Sequence, residues 1–374
     1  MKIDRFALAT LLTFIGAGSV FSGATFTPTG VIDMIPTSMS DDGSIVVGTG
    51  TLGTPNLYYT EASGASVIGD GCFNGLPTIS GDGTTVLGCH VDKGGNENAA
   101  KWLGGTSWQD LGSEPGAVPC GTSLSGPYGI NQNGSLGVGL LWRAQVCHAT
   151  AGFWDLTNGG PARVIPTVSD GPASRANAIN ASGDVIVGWQ DQATGERVAA
   201  RWVYGNAGYG EELILTPSGG FNGEAMAVSA DGGTIVGGGY NFGNSAWIWR
   251  TKTGIQPIEV TSPNDNTVST ALDVTDDGNI VVGFSIAGPD QRAFIWINGK
   301  GGIFLDTYLA NQGVVVPVGW SLDVASLISA DGNTIYGWGV NPGGFIEMYK
   351  VTLNLTAKRP ARNKAASLRG RTSG

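Results

Sequence analysis

Short apolar runs and polar turns alternate along this chain, and the alternation repeats over a length far longer than a helix turn or a strand pleat. One ten-position motif reads aliphatic, Ser-like, any, Asp-like, Gly, two residues, aliphatic, any, Gly. It occupies positions 39–48, 79–88, 130–139 (a weaker copy), 179–188, 228–237, 274–283 and 328–337. Its turn glycines fall at 43, 83, 134, 183, 232, 278 and 332, a mean spacing near 48 residues. A second motif, small residues followed by an aromatic, ends at Trp102, Trp154, Trp202, Trp249 and Trp296, and at Tyr59 and Tyr349 in the first and last copies. Each of these rings lies 11 to 15 residues beyond the glycine that closes the first motif. A turn and a short Gly-led strand follow, as in Gly254-Ile255-Gln256-Pro257-Ile258.

Asp-Gly between two apolar runs predicts a hairpin, because glycine tolerates positive φ and aspartate bonds its own backbone. The run after the turn, such as Ile45-Val46-Val47, is apolar on both faces and predicts a strand held between neighbouring sheets. The aromatic sits on a third strand, and a shorter fourth completes the unit. Seven units of four antiparallel strands match a seven-bladed β-propeller, all-β, in which the repeated aromatics are core between blades. One blade cannot bury both faces alone; a ring can. The seventh unit lacks its fourth strand before the chain turns basic. Thr29-Gly30-Val31-Ile32-Asp33-Met34-Ile35 copies the Thr253–Ile258 segment, so an N-terminal strand within residues 26–35 is expected to complete the last blade and hide two sheet edges.

Composition supports this reading. Glycine is 62 of 374 residues and charged residues only 13%, against 41% hydrophobic. That excludes disorder for the bulk of the chain, and the absence of a three-residue glycine period excludes collagen. The ends differ from the body. Residues 1–24 read as an export signal: Lys2 and Arg5 precede an apolar stretch from Phe6 to Val20, and Ser22-Gly23-Ala24 offers small residues for cleavage after Ala24. An N-terminal membrane anchor is the alternative, and no other stretch is long and apolar enough to span a bilayer. Residues 357–374 form a basic tail, expected to be disordered and solvated. Between them, residues 25–356, one propeller domain, carry 12 basic and 29 acidic residues, a net charge of −17. An acidic body excludes nucleic acid as the natural partner.

The repeats resemble the HAF family of bacterial extracellular repeats, named for a His-Ala-Phe motif. Arg292-Ala293-Phe294-Ile295-Trp296 comes closest, with Arg in place of His. The closing stretch is the most specific part: Phe304-Leu305-Asp306-Thr307-Tyr308-Leu309, then Gly319-Trp320-Ser321-Leu322, then 325–339. The resemblance covers roughly residues 30–353. It implies a secreted or surface-exposed protein and carries over no catalytic residue.

Four cysteines in an exported chain predict two disulfides. Three pairings are possible, and Cys72–Cys89 with Cys120–Cys147 is favoured because each pair brackets one repeat's hairpin. With no C-x-x-C and only His90 and His148, no metal site and no cofactor are expected. The Asp-Gly turns read as hairpins rather than calcium loops, since Asn and Ser substitute in them. Aromatics outside the repeat register, Trp108, Trp142, Trp189, Trp320, Trp338, Tyr240 and Phe242, are better placed for a sugar shelf.

Function is expected on the long loops joining strands two and three and linking successive units. These hold the binding candidates His90, Trp142, Arg143, His148, Asp191, Glu196, Arg197, Tyr240 and Arg292, together with Asp92, Lys93, Glu97, Asp290 and Gln291. The expectation is a monomeric, secreted or periplasmic binding or scaffold module for polysaccharide or a cell-surface protein. The alternative is a polysaccharide lyase or glycoside hydrolase using the same loop face.

Overall fold

The structure is a computed structural model that describes residues 23–52, 55–72, 74–143, 147–159, 161–168, 173–239, 244–260, 268–287 and 290–355. Most of the expected export signal, the basic tail, Tyr240 and Phe242 lie outside the described residues.

Strand β1 (Thr25–Ile32) comes first and pairs far away in sequence. The next four, β2 (Met34–Met39), β3 (Ile45–Gly50), β4 (Asn56–Thr60) and β5 (Gly64–Gly69), form an antiparallel sheet in chain order. So do β6 (Thr78–Ile79), β7 (Val86–Val91), β8 (Glu97–Gly104) and β9 (Ser107–Asp110). The third sheet is β10 (Ser125–Ile130), β11 (Leu136–Arg143), β12 (His148–Asp155) and β13 (Arg163–Val164). The fourth is β14 (Ser174–Ile179), β15 (Val185–Asp191), β16 (Arg197–Gly205) and β17 (Gly208–Leu213). Two further groups are β18 (Glu224–Val228), β19 (Thr234–Gly239), β20 (Asn244–Arg250) and β21 (Gly254–Pro257), then β22 (Val268–Val274), β23 (Ile280–Ala287), β24 (Asp290–Ile297) and β25 (Gly301–Phe304). A bridge between Gly238 and Thr270 joins them into one eight-stranded sheet. A short helix, α1 (Leu305–Asn311), precedes β26 (Val324–Ile328), β27 (Thr334–Val340) and β28 (Ile346–Thr352), and β1 adds to the free edge of β28.

That last pairing aligns Thr25 with Thr352 and Pro28 with Tyr349, and Ile32 with Glu347 after a shift in register. The strand starts earlier than the sequence motif and ends at Ile32. Gly30 and Asp33 take positive φ (71° and 60°), which makes the bulge and the sharp turn that hand Met34 and Ile35 to the next sheet. The helix was not expected. Leu305 and Leu309, four residues apart, face one way and are fully buried against Ala24 and Ile295.

The turns fold as their residues dictate. In the first, Ser40 Oγ and the Ser44 N–H donate to Asp42 Oδ1 at 2.7 and 2.9 Å, and Gly43 takes φ 69°. The Ser40 hydroxyl, chiefly, holds the Asp42 carboxyl below its usual range; Ser80 and Ser229 do the same for Asp82 and Asp231. The runs after the turns are sandwiched, as expected. Val46 packs towards Tyr336 and Met348 of the last sheet, whereas Val47 packs towards Ile79 and Val86 of the second. Ile186 and Val187, then Ile235 and Val236, divide between neighbours in the same way. The repeated aromatics sit in these cores: Trp154, Trp202 and Tyr349 are at most 1% exposed, and Trp102, Trp249 and Trp296 are half-buried.

The first strands of all seven units line one cavity of about 220 Å³, from Thr37 on β2 round to Ile328 on β26. Six of them carry a register shift, as between Ala176 and Ala178 on β14, and the extra residue there, Asn177, reaches the cavity. Backbone bonds run round its rim: Asp41 N–H to the Gly81 carbonyl, Asp82 to Gln132, Ala230 to Asp276, Asp276 to Ala330, and Ala330 back to Asp41 at 3.1 Å.

Candidate functional site

Four regions compete for a functional role. In the central cavity, the Asp273 carboxylate accepts the backbone N–H groups of Val274 and of Ile328 on the next sheet, both at 2.8 Å. Burial pushes its pKa up to about 7. Burial, and then the neighbouring Asp41, also raise Asp276. Asp41 itself accepts an amide bond from Gln132 across the rim at 2.9 Å. Asp273 is thus a tie between sheets, each oxygen accepting one backbone N–H.

The second region brings together two of the expected loop residues. Arg197 donates to Asp191 at 3.0 Å and to Glu224 at 2.6 Å, and Arg175 donates to the other Glu224 oxygen at 2.9 Å. The Arg197 guanidinium lies 3.4 Å from the Trp189 ring centre, and Arg175 covers Tyr128 at 4.4 Å. The charged side chains among these satisfy one another. Trp189, 5% exposed, has no face left for a sugar, so the arrangement is a strut between the fourth and fifth units. Arg175 and Glu224 escaped sequence reading because they lie 49 residues apart on the starts of two first strands.

The third region scatters. His90 stacks on Trp108 with ring centres 6.4 Å apart, beside Asp110, whose carboxyl burial raises. The Trp108 indole donates to the Ile68 carbonyl. His148 is exposed and lies opposite Arg143 in the β11–β12 ladder, in a different sheet from His90; Arg143 approaches Glu114 at 3.8 Å. Trp142 is half-buried, its indole N–H without a hydrogen-bond partner. Glu196 is exposed and accepts from the Thr194 hydroxyl. Among the described residues no three His, Cys, Asp or Glu side chains gather as metal ligands. The cysteines pair as favoured, Cys72 with Cys89 and Cys120 with Cys147, with Cα separations of 5.5 and 5.2 Å.

The fourth region is a cleft of about 590 Å³ on the loop side, between the start of β24 and the segment leading into β26. Asp290, Gln291 and Arg292 form one wall, Trp320, Ser321 and Asp323 the other, and Asp306 of α1 lies between them. Both walls are fixed. The Ala293 N–H donates to the Leu322 carbonyl at 2.8 Å, and the Ser321 and Asp323 N–H groups donate to the Val340 and Trp338 carbonyls. Arg292 donates to both oxygens of Asp306 at 2.7 Å and stacks on Phe304 at 3.9 Å. Trp320 is half-buried, held edge-on against Phe26 with centres 5.4 Å apart. Burial raises the Asp323 carboxyl, and the Ser321 hydroxyl opposes this.

The architecture has relatives among solved structures. An oligogalacturonate lyase in complex with manganese superposes with a TM-score of 0.53 at 14% identity, covering 90% of this chain and 92% of that one. The β-propeller domain of the Trilobed protease from Pyrococcus furiosus gives 0.52 at 10% identity, over 88% and 100%. The fold is a β-propeller. TolB from Acinetobacter baumannii gives 0.45 at 14% identity over 75% of this chain, which spans 63% of the length of that one. At such identities the likeness bears on fold alone. No family model and no curated protein matches the sequence.

Within this propeller, the cleft gathers more of the expected loop residues than any other region described here: Arg292, Asp290, Gln291 and the off-register Trp320. Asp306 and Asp323 were missed as functional residues, although Asp306 belongs to the closing stretch that carries the family resemblance. The signal that could have found them is an acidic residue on each side of the off-register tryptophan, within one inter-strand connection.

Proposed function

We propose that this chain is an exported, monomeric seven-bladed propeller, closed by β1, that acts at the cell exterior as a binding module for polysaccharide or a surface protein. The observation that carries the reading is the loop-side cleft, a concave site of ligand size with an indole, a fixed ion pair and carboxylates on its walls. Export is supported by the two disulfides and by the apolar segment ahead of Ser22-Gly23-Ala24. Among the described residues no helix is long and apolar enough to cross a membrane. Closure is supported by the β1–β28 ladder and by the core shared between the first and last sheets.

One observation favours a second reading, a glycoside hydrolase. Asp306 and Asp323 line the same cleft as a pair of carboxyl groups, and burial raises Asp323, the direction a general acid requires. The test incubates purified protein with a panel of neutral, acidic and amino polysaccharides. New reducing ends and unsaturated-uronate absorbance are followed alongside retention on each polymer. Retention without turnover, lost in Trp320→Ala, is the expected result. Turnover of any polymer, abolished in Asp323→Asn, would replace the binding module with the enzyme.

A further inference from the structure

The charges of the cleft narrow its ligand. Arg292 is the cation among the cleft's walls, and Asp306 neutralises it: one guanidinium nitrogen, Nη2, donates to both carboxylate oxygens, and Phe304 lies beneath its plane. Asp290 and Asp323 are left as carboxylates with no cationic partner in the cleft. Both line the cleft, Asp290 exposed and Asp323 half-buried. The surrounding body adds a long-range field of the same sign, with its net charge of −17 over residues 25–356. A uronate entering here would meet three carboxyl groups against one neutralised guanidinium. A cation would meet two carboxylates and the indole of Trp320.

Resting on the binding reading above, we infer that the cleft between β24 and β26 binds a glycan carrying free, protonated amino groups, a polymer of deacetylated hexosamine. The sugar ring packs on Trp320, and its ammonium group lies between Asp323 and Asp290. Shape separates this ligand from a basic protein surface. A protein partner needs a broad interface of about 800 Å² on each side, whereas a concave cleft of about 590 Å³ suits a few rigid rings. Burial supports the assignment as well, since a carboxyl whose ionisation is opposed by desolvation gains from an ammonium brought beside it.

The test is calorimetric titration of the full chain, at about 0.15 M and about 1 M salt, with four probes: hexamers of glucosamine, of N-acetylglucosamine and of galacturonic acid, and hexalysine. The glucosamine hexamer is expected to bind at least about tenfold more tightly than its acetylated counterpart, and to lose most of that advantage at high salt, where screening shortens to about 3 Å. Asp290→Asn, at an exposed position, and Asp323→Asn are each expected to weaken it by about tenfold, with the unfolding temperature of Asp290→Asn unchanged. Equal or tighter binding of the acetylated or the uronic hexamer overturns the ammonium assignment and leaves the glycan-binding reading standing. Binding of hexalysine as tight as that of glucosamine, and indifferent to Trp320→Ala, overturns the glycan in favour of a basic polypeptide. Binding of none of the four overturns both this inference and the role of the cleft.

Discussion

At the scale of single residues, the glycine that closes the repeat motif is explained in most copies by the strand beside it; Gly88 is the exception, its missing side chain leaving room for the Trp108 ring. A Cβ added at Gly139, Gly188, Gly237, Gly283 or Gly337 would lie 2.0 to 2.1 Å from a carbonyl oxygen of the first strand, that of Gly126, Arg175, Glu224, Thr270 or Val324. The register shift in that strand pushes the carbonyl inward while it turns the extra residue toward the cavity. Neither backbone segment can retreat, because each is held in its ladder. Gly188→Ala is therefore expected to cost about 2–4 kcal/mol in denaturant unfolding. Gly210→Ala, with nothing within 4 Å of its Cβ, should change stability by less than about 0.5 kcal/mol. Equal effects at the two positions would remove the steric account. The turn glycines were legible in the sequence, because Asp-Gly states its own backbone need. The closing glycine was legible only as a marker, since the carbonyl it makes room for lies on a bulge that alternation cannot show.

At the scale of elements, Asp273 ties β22 to β26 and gives the fold a pH dependence of definite sign. The unfolded side chain ionises near 3.8, while burial holds the folded one protonated up to about 7. Between those values the folded state binds more protons than the unfolded state, so stability falls as pH rises from about 4 to about 7 and is level above. Glu211, raised by burial from 4.5 to about 7, acts in the same direction. The turn carboxylates of Asp42, Asp82 and Asp231 act oppositely. Their folded pKa values are depressed, so the stability they add is lost as pH falls below the ordinary carboxylate range, outside this window. Unfolding free energies at pH 5 and pH 8 should differ less in Asp273→Asn than in the parent chain, and identical differences would show that the tie does not titrate. The functional elements were legible to the same uneven degree. Asp191 and Arg197 face each other across one hairpin, so sequence register could pair them. Arg175 and Glu224 meet them only because two units are neighbours. Asp306 and Asp323 share the cleft only because an unpredicted helix fills the connection after β25.

At the scale of the whole molecule, β1 is the element on which the rest depends. It supplies the outer strand of the last sheet from the other end of the chain. Thr29 Oγ1 donates to the Met348 carbonyl, and the Gly30 N–H donates to Oε1 of Glu347 at 2.8 Å, whose second oxygen accepts from Asn341. Glu347 is only 6% exposed, so removing β1 leaves a buried carboxylate short of a donor as well as a bare edge on β28. Phe26 goes with it, and Phe26 backs both Trp320 and Tyr349, with ring centres 5.4 and 5.8 Å away. Stability and the cleft should therefore fail together. A chain shortened to begin at Asp33 is expected to melt roughly 10 °C lower, to associate through the exposed β28 edge, and to lose ligand at the cleft. A synthetic strand spanning residues 25–32, added in trans, should restore all three. If the shortened chain keeps its melting temperature but loses ligand, β1 serves the cleft rather than the stability of the fold. If it keeps both, the seven units hold together without the N-terminal strand, through the first-to-last core of Met34, Val46, Tyr336 and Met348 alone.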